Sequence, residues 1–359
     1  MSDPQSSASS SPEIPVELQR YSKQIRFPQV GMAGQKLLQE SRVVVVGVGA
    51  LGSVSANTLV RAGVGEVVLI DRDFIERDNL QRQILYGEAD VGQPKAIVAA
   101  EALRQINSSV DIQPHVADLD CKNIVQLLGE SKSKTVIVDG TDNFETRFLI
   151  NDAAVSMGLP WVYGGCLGAD GQTMTIIPGQ TACLSCLMTQ GAPPPGTTAT
   201  CDSAGILAPI INVIASIQAV EAIKILSGNQ DSISRNLQTF DLWGNRAYSM
   251  DISKLRDNVN CKTCKQEEFP WLAGQQGSHS AILCGRNAVQ VSFSDRQQIS
   301  LEQLAERLKS NGPVEVNKFL LRFKTGEYTV TVFTDGRAII NGTEDIAAAK
   351  KIYAQFVGA

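Results

Sequence analysis

Four cysteines stand in two matching frames, Cys183-Leu184-Ser185-Cys186 and Cys261-Lys262-Thr263-Cys264. Two C-x-x-C knuckles supply four thiolates, the set that a closed tetrahedral Zn2+ site requires, with no position left for a reacting water. One knuckle alone would suit redox chemistry. The pair points to a structural metal that staples two remote parts of a domain. A second cluster is Gly47-Val48-Gly49-Ala50-Leu51-Gly52, which follows the apolar run Val43–Val46 and precedes a helical stretch to about Arg61. A further apolar run, Val67-Val68-Leu69-Ile70, then ends on Asp71. Strand, glycine-rich turn, helix and strand ending in an acid form an adenine-nucleotide unit. The glycines bring the backbone close to phosphates, the helix N-terminus offers free N–H groups, and Asp71 is placed to accept hydrogen bonds from a ribose. Arg82 and Lys95 come next. A nicotinamide enzyme has no need of these cations, whereas displacement at the phosphates of ATP does.

Arg20-Tyr21-Ser22-Lys23-Gln24-Ile25, Asn79-Leu80-Gln81-Arg82-Gln83, Gly92-Gln93-Pro94-Lys95 and Thr141-Asp142-Asn143 occur in that order. Together they resemble the MoeB/ThiF/HesA family of ubiquitin-activating-like adenylyltransferases, from about Arg20 to about Cys264. The resemblance implies ATP-dependent adenylation of the C-terminal glycine of a ubiquitin-like sulfur carrier ending in Gly-Gly, in a molybdopterin or thiamine sulfur pathway. It assigns the nucleotide to Gly47, Gly49, Ala50, Leu51, Gly52, Asp71, Asp73, Asn79, Arg82 and Lys95, and Mg2+ with ATP to Asp142. It implies that Lys23, where the common pattern has Arg, reaches the ATP of a second subunit in a homodimer. It also implies a reactive cysteine at Cys201. The residues themselves leave alternatives at three of these positions. Lys23 and Arg20 read as a solvated helix face, Asp142 as an N-cap for a helix starting near Phe144, and Cys201 as a bystander. A helix N-terminus lowers a thiol's pKa, which favours a thiolate at Cys201.

The chain has 359 residues, a formal net charge of −5 and eight cysteines. No basic surplus exists to displace counterions from a nucleic acid. Cysteines without a signal peptide suit a reducing compartment, and the expected location is the cytoplasm. Only His115 and His279 are present, outside every motif. Adenylation of a carboxylate tolerates this, because the attacking group is already ionised at neutral pH.

The expected architecture is α/β: a Rossmann-like, mostly parallel sheet with structural zinc, followed by a small α+β domain. Residues 1–15 read as a disordered tail, 16–265 as the adenylation domain, 266–280 as a linker and 281–359 as the second domain. Strands are expected at 111–116, 135–138, 161–165, 237–241 and 246–250, with helices at 122–128 and 94–107. Cys166 to Ile177 has the alternation of a hairpin turning at Asp170-Gly171. The stretch Gly191 to Thr200 reads as a loop delivering Cys201 just ahead of a long helix. That helix, Ile206 to Leu226, is apolar enough to span a membrane. Asn212, Gln218, Glu221 and Lys224 interrupt it, so it reads as a buried core or a subunit interface. In the last segment Cys284-Gly285-Arg286 stands at the start of a strand-like run, which is not the cysteine loop of a rhodanese domain. This domain reads either as a grip on the partner or as a stabilising addition. Two rivals to adenylation remain: a nicotinamide-dependent oxidoreductase, which the glycine-rich unit alone would support, and a non-catalytic binding module of the same fold.

Overall fold

The valine run forms β1 (Arg42–Val46), every residue of which is buried. A strand buried on both faces has no need of polar alternation, and β1 lies at the centre of a sheet. The structure, a computed structural model, describes residues 14–129, 134–193, 200–276, 280–283, 287–291 and 299–358. Most of the expected tail, residues 194–199, the side chain of Cys201 and the run from Cys284 to Arg286 lie outside the described residues.

The first sheet continues with β2 (Glu66–Asp71), β3 (Asp111–Val116), β4 (Thr135–Asp139), β5 (Trp161–Leu167), β6 (Asp170–Ile176), β7 (Asn236–Asp241) and β8 (Arg246–Asp251). Its order is β3-β2-β1-β4-β5-β6-β7-β8. The first five strands run parallel and the last three join by antiparallel pairing. The helices are α1 (Ser22–Ile25), α2 (Gly31–Gln39), α3 (Ala50–Ala62), α4 (Lys95–Ile106), α5 (Ile124–Leu128), α6 (Phe144–Met157), α7 (Leu184–Leu187), α8 (Cys201–Ala204), α9 (Ala208–Leu226) and α10 (Leu255–Asn258). Alternate β1 residues feed two cores. Val43 and Val45 pack with Leu38, Leu59, Leu103 and Ile225, whereas Val44 and Val46 pack with Leu128, Ile150 and Trp161. The sheet is therefore the middle of three layers.

Helix α9 is a core element. Its buried Glu221 accepts hydrogen bonds from the Thr175 hydroxyl and the Ser234 N–H, both at 2.8 Å, and pairs with Lys224 at 2.6 Å. Gln218 donates from Nε2 to the carbonyls of Asp139 (2.8 Å) and Val162 (3.1 Å). Of the polar interruptions in the apolar run, Gln218 and Glu221 are thus inward ties, whereas Asn212 is exposed.

Two local expectations are corrected. The β5–β6 hairpin turns at Gly168-Ala169, because Leu167 pairs with Asp170 and Gly168 takes φ +62°; Asp170-Gly171 already belongs to β6. Cys201 opens the four-residue α8, capped by Thr200, and Gly205 to Leu207 separate it from α9. A single turn carries little of the dipole that the long helix would have lent the thiol.

The C-terminal part has a sheet of β9 (Ser280–Leu283), β10 (Ala288–Val291), β11 (Val314–Val316), β12 (Leu320–Thr325), β13 (Tyr328–Phe333) and β14 (Ala338–Asn341), ordered β11-β12-β13-β14-β10-β9. Helices α11 (Leu301–Leu308) and α12 (Ile346–Phe356) supply Leu304, Leu308, Ile352 and Tyr353 to its own core. Strands β9 and β11 have no counterpart in the sequence reading; each is short. The preceding segment is held against the first domain: Trp271 stacks on Phe148, and its N–H donates to Asp152 at 2.9 Å.

Candidate nucleotide site and cysteine cluster

The strand order changes direction between β1 and β4, and a crevice at such a switch point receives ligands beyond the carboxyl ends of the strands. In-register pairing sets Val46 beside Ile70 on one side and Asp139 on the other, so three loops leave the sheet together. Their close packing explains the glycines. A Cβ on Gly52 would lie 1.8 Å from the Gly47 carbonyl oxygen, and one on Gly140 would lie 2.1 Å from the same atom. Gly47 itself takes φ +81°, which L side chains rarely adopt. The first bond inside α3 runs from the Ser53 N–H to Gly49 O at 3.0 Å. The N–H groups of Ala50, Leu51 and Gly52 therefore belong to the helix N-terminus, where an anion is favoured.

Asp71 ends β2 against this turn. Its Oδ2 accepts from the Val48 N–H at 2.6 Å and its Oδ1 from the Asp73 N–H at 2.7 Å. Burial raises the Asp71 pKa, and the charge of Lys95 works against that rise. Lys95, only 4% exposed, places Nζ 3.4 Å from Asp73 Oδ2. Asn79 is buried in a short helical turn, its Oδ1 accepting from the Glu76 N–H at 3.3 Å and its Nδ2 donating to Asp78 at 2.9 Å. Arg82 donates to the Asp78 carbonyl at 2.9 Å from the same turn. Asp142 is exposed at the end of the β4 loop. The N-cap of α6 is Asn143, which accepts from the Thr146 N–H at 2.8 Å, so capping leaves the Asp142 carboxylate free of that task.

Beneath Asp142 the loop rests on two groups that carry no motif. Asp139 is wholly buried, and burial raises its pKa against the opposing charge of Arg147. Arg72 is a further cation of the crevice. Burial works against its charge, but Asp118, Asp73 and Asp142 raise its pKa. Tyr86 anchors the glycine turn from behind, its hydroxyl donating to the Val48 carbonyl at 2.6 Å. Arg147, Arg72 and Tyr86 were not singled out in the sequence, and nothing in their spacing marks them; Asp139, expected from its strand end to point toward the crevice, is instead buried against Arg147. Gln83 had a signal, since it closes one of the family motifs. It is 4% exposed, its Oε1 has no partner among the described residues, and its Nε2 would lie 3.6 Å from a Cβ on Gly49. A buried polar atom without a partner beside a backbone cradle fits a nucleotide.

Lys23 is not brought to this crevice. It is exposed on α1, whose Gln24 donates to the Ala62 carbonyl at 2.8 Å. Ala62 ends α3, about 20 Å from the helix N-terminus at 1.5 Å per residue. Arg20, read as a solvated face, instead donates to Asn107.

The four knuckle cysteines converge at the far side of the second core. Their Sγ atoms all lie within 4.8 Å, with Cys183–Cys186 at 3.8 Å, Cys183–Cys261 at 3.6 Å and Cys186–Cys264 at 3.4 Å. Zn–S bonds of about 2.3 Å put tetrahedral sulfurs roughly 3.8 Å apart. The donor set and its spacing therefore fit zinc. Hydrogen bonding from Cys183 and Cys186 pulls the Cys264 thiol down to about 7.

A model of the ThiF family matches residues 21–263. The chain is 44% identical over 342 residues to the sulfur carrier protein ThiS adenylyltransferase of Bacillus subtilis (strain 168), spanning 94% of this chain and 99% of that protein. It is 38% identical over 258 residues to the sulfur carrier protein adenylyltransferase of Thermus thermophilus, spanning 70% of this chain and 92% of that one. The solved microcin C7 biosynthetic enzyme MccB in complex with N-formylated MccA shares the fold, with a TM-score of 0.59 at 23% identity over 70% of this chain and 77% of that chain. Matched across most of its length by the family model and by the Bacillus protein, the chain belongs to the ThiF family.

Proposed function

We propose that this chain is a nucleotidyltransferase that adenylates the C-terminal glycine of a ubiquitin-like sulfur carrier protein. A carboxylate oxygen of the glycine attacks the α-phosphorus of ATP, the bond from that phosphorus to the bridging oxygen breaks, and pyrophosphate leaves. The acyl-adenylate is then open to sulfur. The observation that carries this reading is the gathering of a glycine cradle, the acids Asp71 and Asp73 and the buried Lys95 at one switch point. A nicotinamide ring would give a buried lysine at this position nothing to neutralise.

In this reading the turn from Gly47 to Gly52 and the start of α3 hold phosphate, Asp71 and Asp73 face the ribose, and Asn79 orders the turn that carries Arg82. Arg82 and Lys95 offset the charge that moves to the leaving pyrophosphate. Mg2+, when bound, would neutralise phosphate oxygens, and Asp142 would hold it. Catalysis is then positioning and charge compensation with no general base. Lys23, far from its own crevice, would serve the crevice of a second copy, which makes the enzyme a homodimer. Cys201 would take the activated glycine as a thioester, with AMP leaving, or accept the outer sulfur of a persulfide donor, whose thiol leaves. Zinc on the four cysteines would be structural. Since the Bacillus relative is named for ThiS, a ThiS-like carrier ending in Gly-Gly is the first substrate to try.

The test is ATP–pyrophosphate exchange with purified protein and each candidate carrier. Exchange that depends on one carrier and disappears when its last glycine is deleted supports adenylation and names the substrate. A folded, zinc-loaded dimer that exchanges with no carrier overturns the reading.

A further inference from the structure

The C-terminal domain touches the nucleotide crevice at two separate points. Phe333, at the end of β13, stacks on Phe74 with ring centroids 5.1 Å apart and planes inclined by 25°. Gln290, on β10, donates from Nε2 to Asp118 Oδ2 at 3.2 Å, and Asp118 Oδ1 accepts from Arg72 at 2.8 Å. Arg72 and Phe74 flank Asp73, the acid that faces Lys95. Phe74 also makes an isolated β-bridge to Pro94, the residue before Lys95, and the Lys95 N–H donates to the Asp73 carbonyl at 3.0 Å. Across the narrow cleft, Asp73, Phe74 and Glu76 face Arg322, Phe333 and Asn341.

Within its own domain the loop is tied by Asp73 to Lys95, by Arg72 to Asp118, and by the Ile75 N–H to the Gln93 carbonyl at 2.9 Å. The hydrogen bonds to Asp71 fix its first residues, and the bridge to Pro94 fixes Phe74; the outer face of Phe74 rests on the other domain. Phe333 is 4% exposed yet stands outside the core formed by Val332, Phe323 and Tyr353. Its ring is buried by Phe74 and by Arg337, whose guanidinium lies 4.9 Å from the ring centroid.

We propose that Phe333 is a positioning residue for ATP: the C-terminal domain holds the loop from Arg72 to Phe74 so that Asp73 and Lys95 meet the nucleotide in register. The proposal rests on the adenylation reading and gives the last domain a part in it, distinct from gripping the carrier. Misplacing a binding group by about 1 Å is costly even when the change is remote from the chemistry.

The experiment measures ATP affinity by calorimetry on the full chain, unaltered and with Phe333→Ala, Phe333→Tyr, Phe74→Leu and the Phe74→Leu/Phe333→Ala pair. Phe333→Ala is expected to weaken ATP binding roughly tenfold, with carrier affinity unchanged. Phe333→Tyr, which keeps the ring, should bind within about twofold of the unaltered chain, and the pair should be no weaker than the worse single change. Should Phe333→Ala fail to fold, Gln290→Ala severs the second contact without removing apolar volume and should weaken ATP binding in the same direction. Equal ATP affinity of the unaltered chain and a folded Phe333→Ala overturns the inference alone. No ATP binding by the unaltered chain overturns the adenylation reading and the inference together.

Discussion

Asp139 Oδ2 lies 3.4 Å from Arg147 Nε, and between them the two side chains hold Thr141 from both sides. Asp139 Oδ1 accepts from the Thr141 N–H at 2.8 Å and from its hydroxyl at 2.7 Å, while Arg147 donates to the Thr141 carbonyl at 2.6 Å. Arg147 also donates to Gly164 O at 3.1 Å and lies over the rings of Phe144 and Tyr163. The backbone that presents Asp142 is thus fixed by a buried ion pair spanning β4, β5 and α6.

Removing one member of a buried pair leaves an uncompensated charge. Arg147→Met is expected to destabilise the protein by about 3–5 kcal/mol, seen as a lower midpoint in urea unfolding. A change below about 1 kcal/mol would mean that Asp139 finds another partner or takes a proton.

At the glycine turn, Gly52→Ala places a methyl group 1.8 Å from a backbone oxygen. The methyl would also meet the Val45 side chain of β1 at 3.1 Å, and neither the turn nor β1 can give way without losing the crevice. The variant should lose more than about 3 kcal/mol, beyond the usual cost of overpacking, and should lose ATP binding measured on whatever fraction folds.

Arg82 and Lys95 should separate by stability. Arg82 is partly exposed and, among the described residues, bonds a backbone carbonyl of its own turn, so Arg82→Ala should fold within about 1 kcal/mol of the unaltered chain. It should nonetheless lose roughly 100- to 1,000-fold in pyrophosphate exchange, the range for one lost electrostatic contact to a transition state. Lys95→Met should lose as much activity and stability as well, because it breaks the buried Lys95–Asp73 pair and leaves Asp73 to Arg72 at 3.7 Å.

Metal content is the direct check on the cysteine cluster. Cys264→Ser should abolish stoichiometric zinc in elemental analysis and lower the melting temperature, since metal affinity enters the folding free energy of such sites. Zinc retained at one ion per chain in Cys264→Ser would place the metal elsewhere.

Asp152 offers a pH signature. Burial pushes its pKa up to about 6, against hydrogen bonds from the Trp271 and Leu272 N–H groups. Between the ordinary carboxylate value of about 3.9 and that raised value the folded chain binds more protons than the unfolded one, so this group makes stability fall as pH rises through the window. Above pH 6 both states are ionised and the folded state carries the full burial cost. Relative to the unaltered chain, Asp152→Asn should therefore gain stability from about pH 4 to pH 7, by up to ~3 kcal/mol. A difference that stays flat across this range in paired urea titrations would refute the assignment.

What was legible in the sequence follows from how local each signal is. The valine run of β1, the glycine turn and the helix behind it depend on near neighbours, and the cysteine frames carry their chemistry in their spacing. Asp142 and Asn143 show the limit: both residue types cap helices, and only the start of α6 at Phe144 decides for Asn143. The turn at Gly168-Ala169 was missed because Asp-Gly is the stronger local turn signal, and the pairing of Leu167 with Asp170 overrides it. Arg147, Tyr86 and Arg72 were invisible because their partners lie on other strands and loops. The same holds for Phe333, whose ring meets Phe74 across 259 positions of chain.

The cysteine frames also decide how the chain would answer a mechanical load. Cys183 and Cys261 are separated by 78 positions, and the stretch between them contains α8, α9 and the β7–β8 hairpin. With the four sulfurs joined through a metal, tension applied at the two ends of the protein would run across the sulfur bridge and bypass that whole stretch. The helix at the heart of the sheet would then stay slack until the ion was torn out, and the extension released at that moment would mark the length of chain that the ion had kept from the pull.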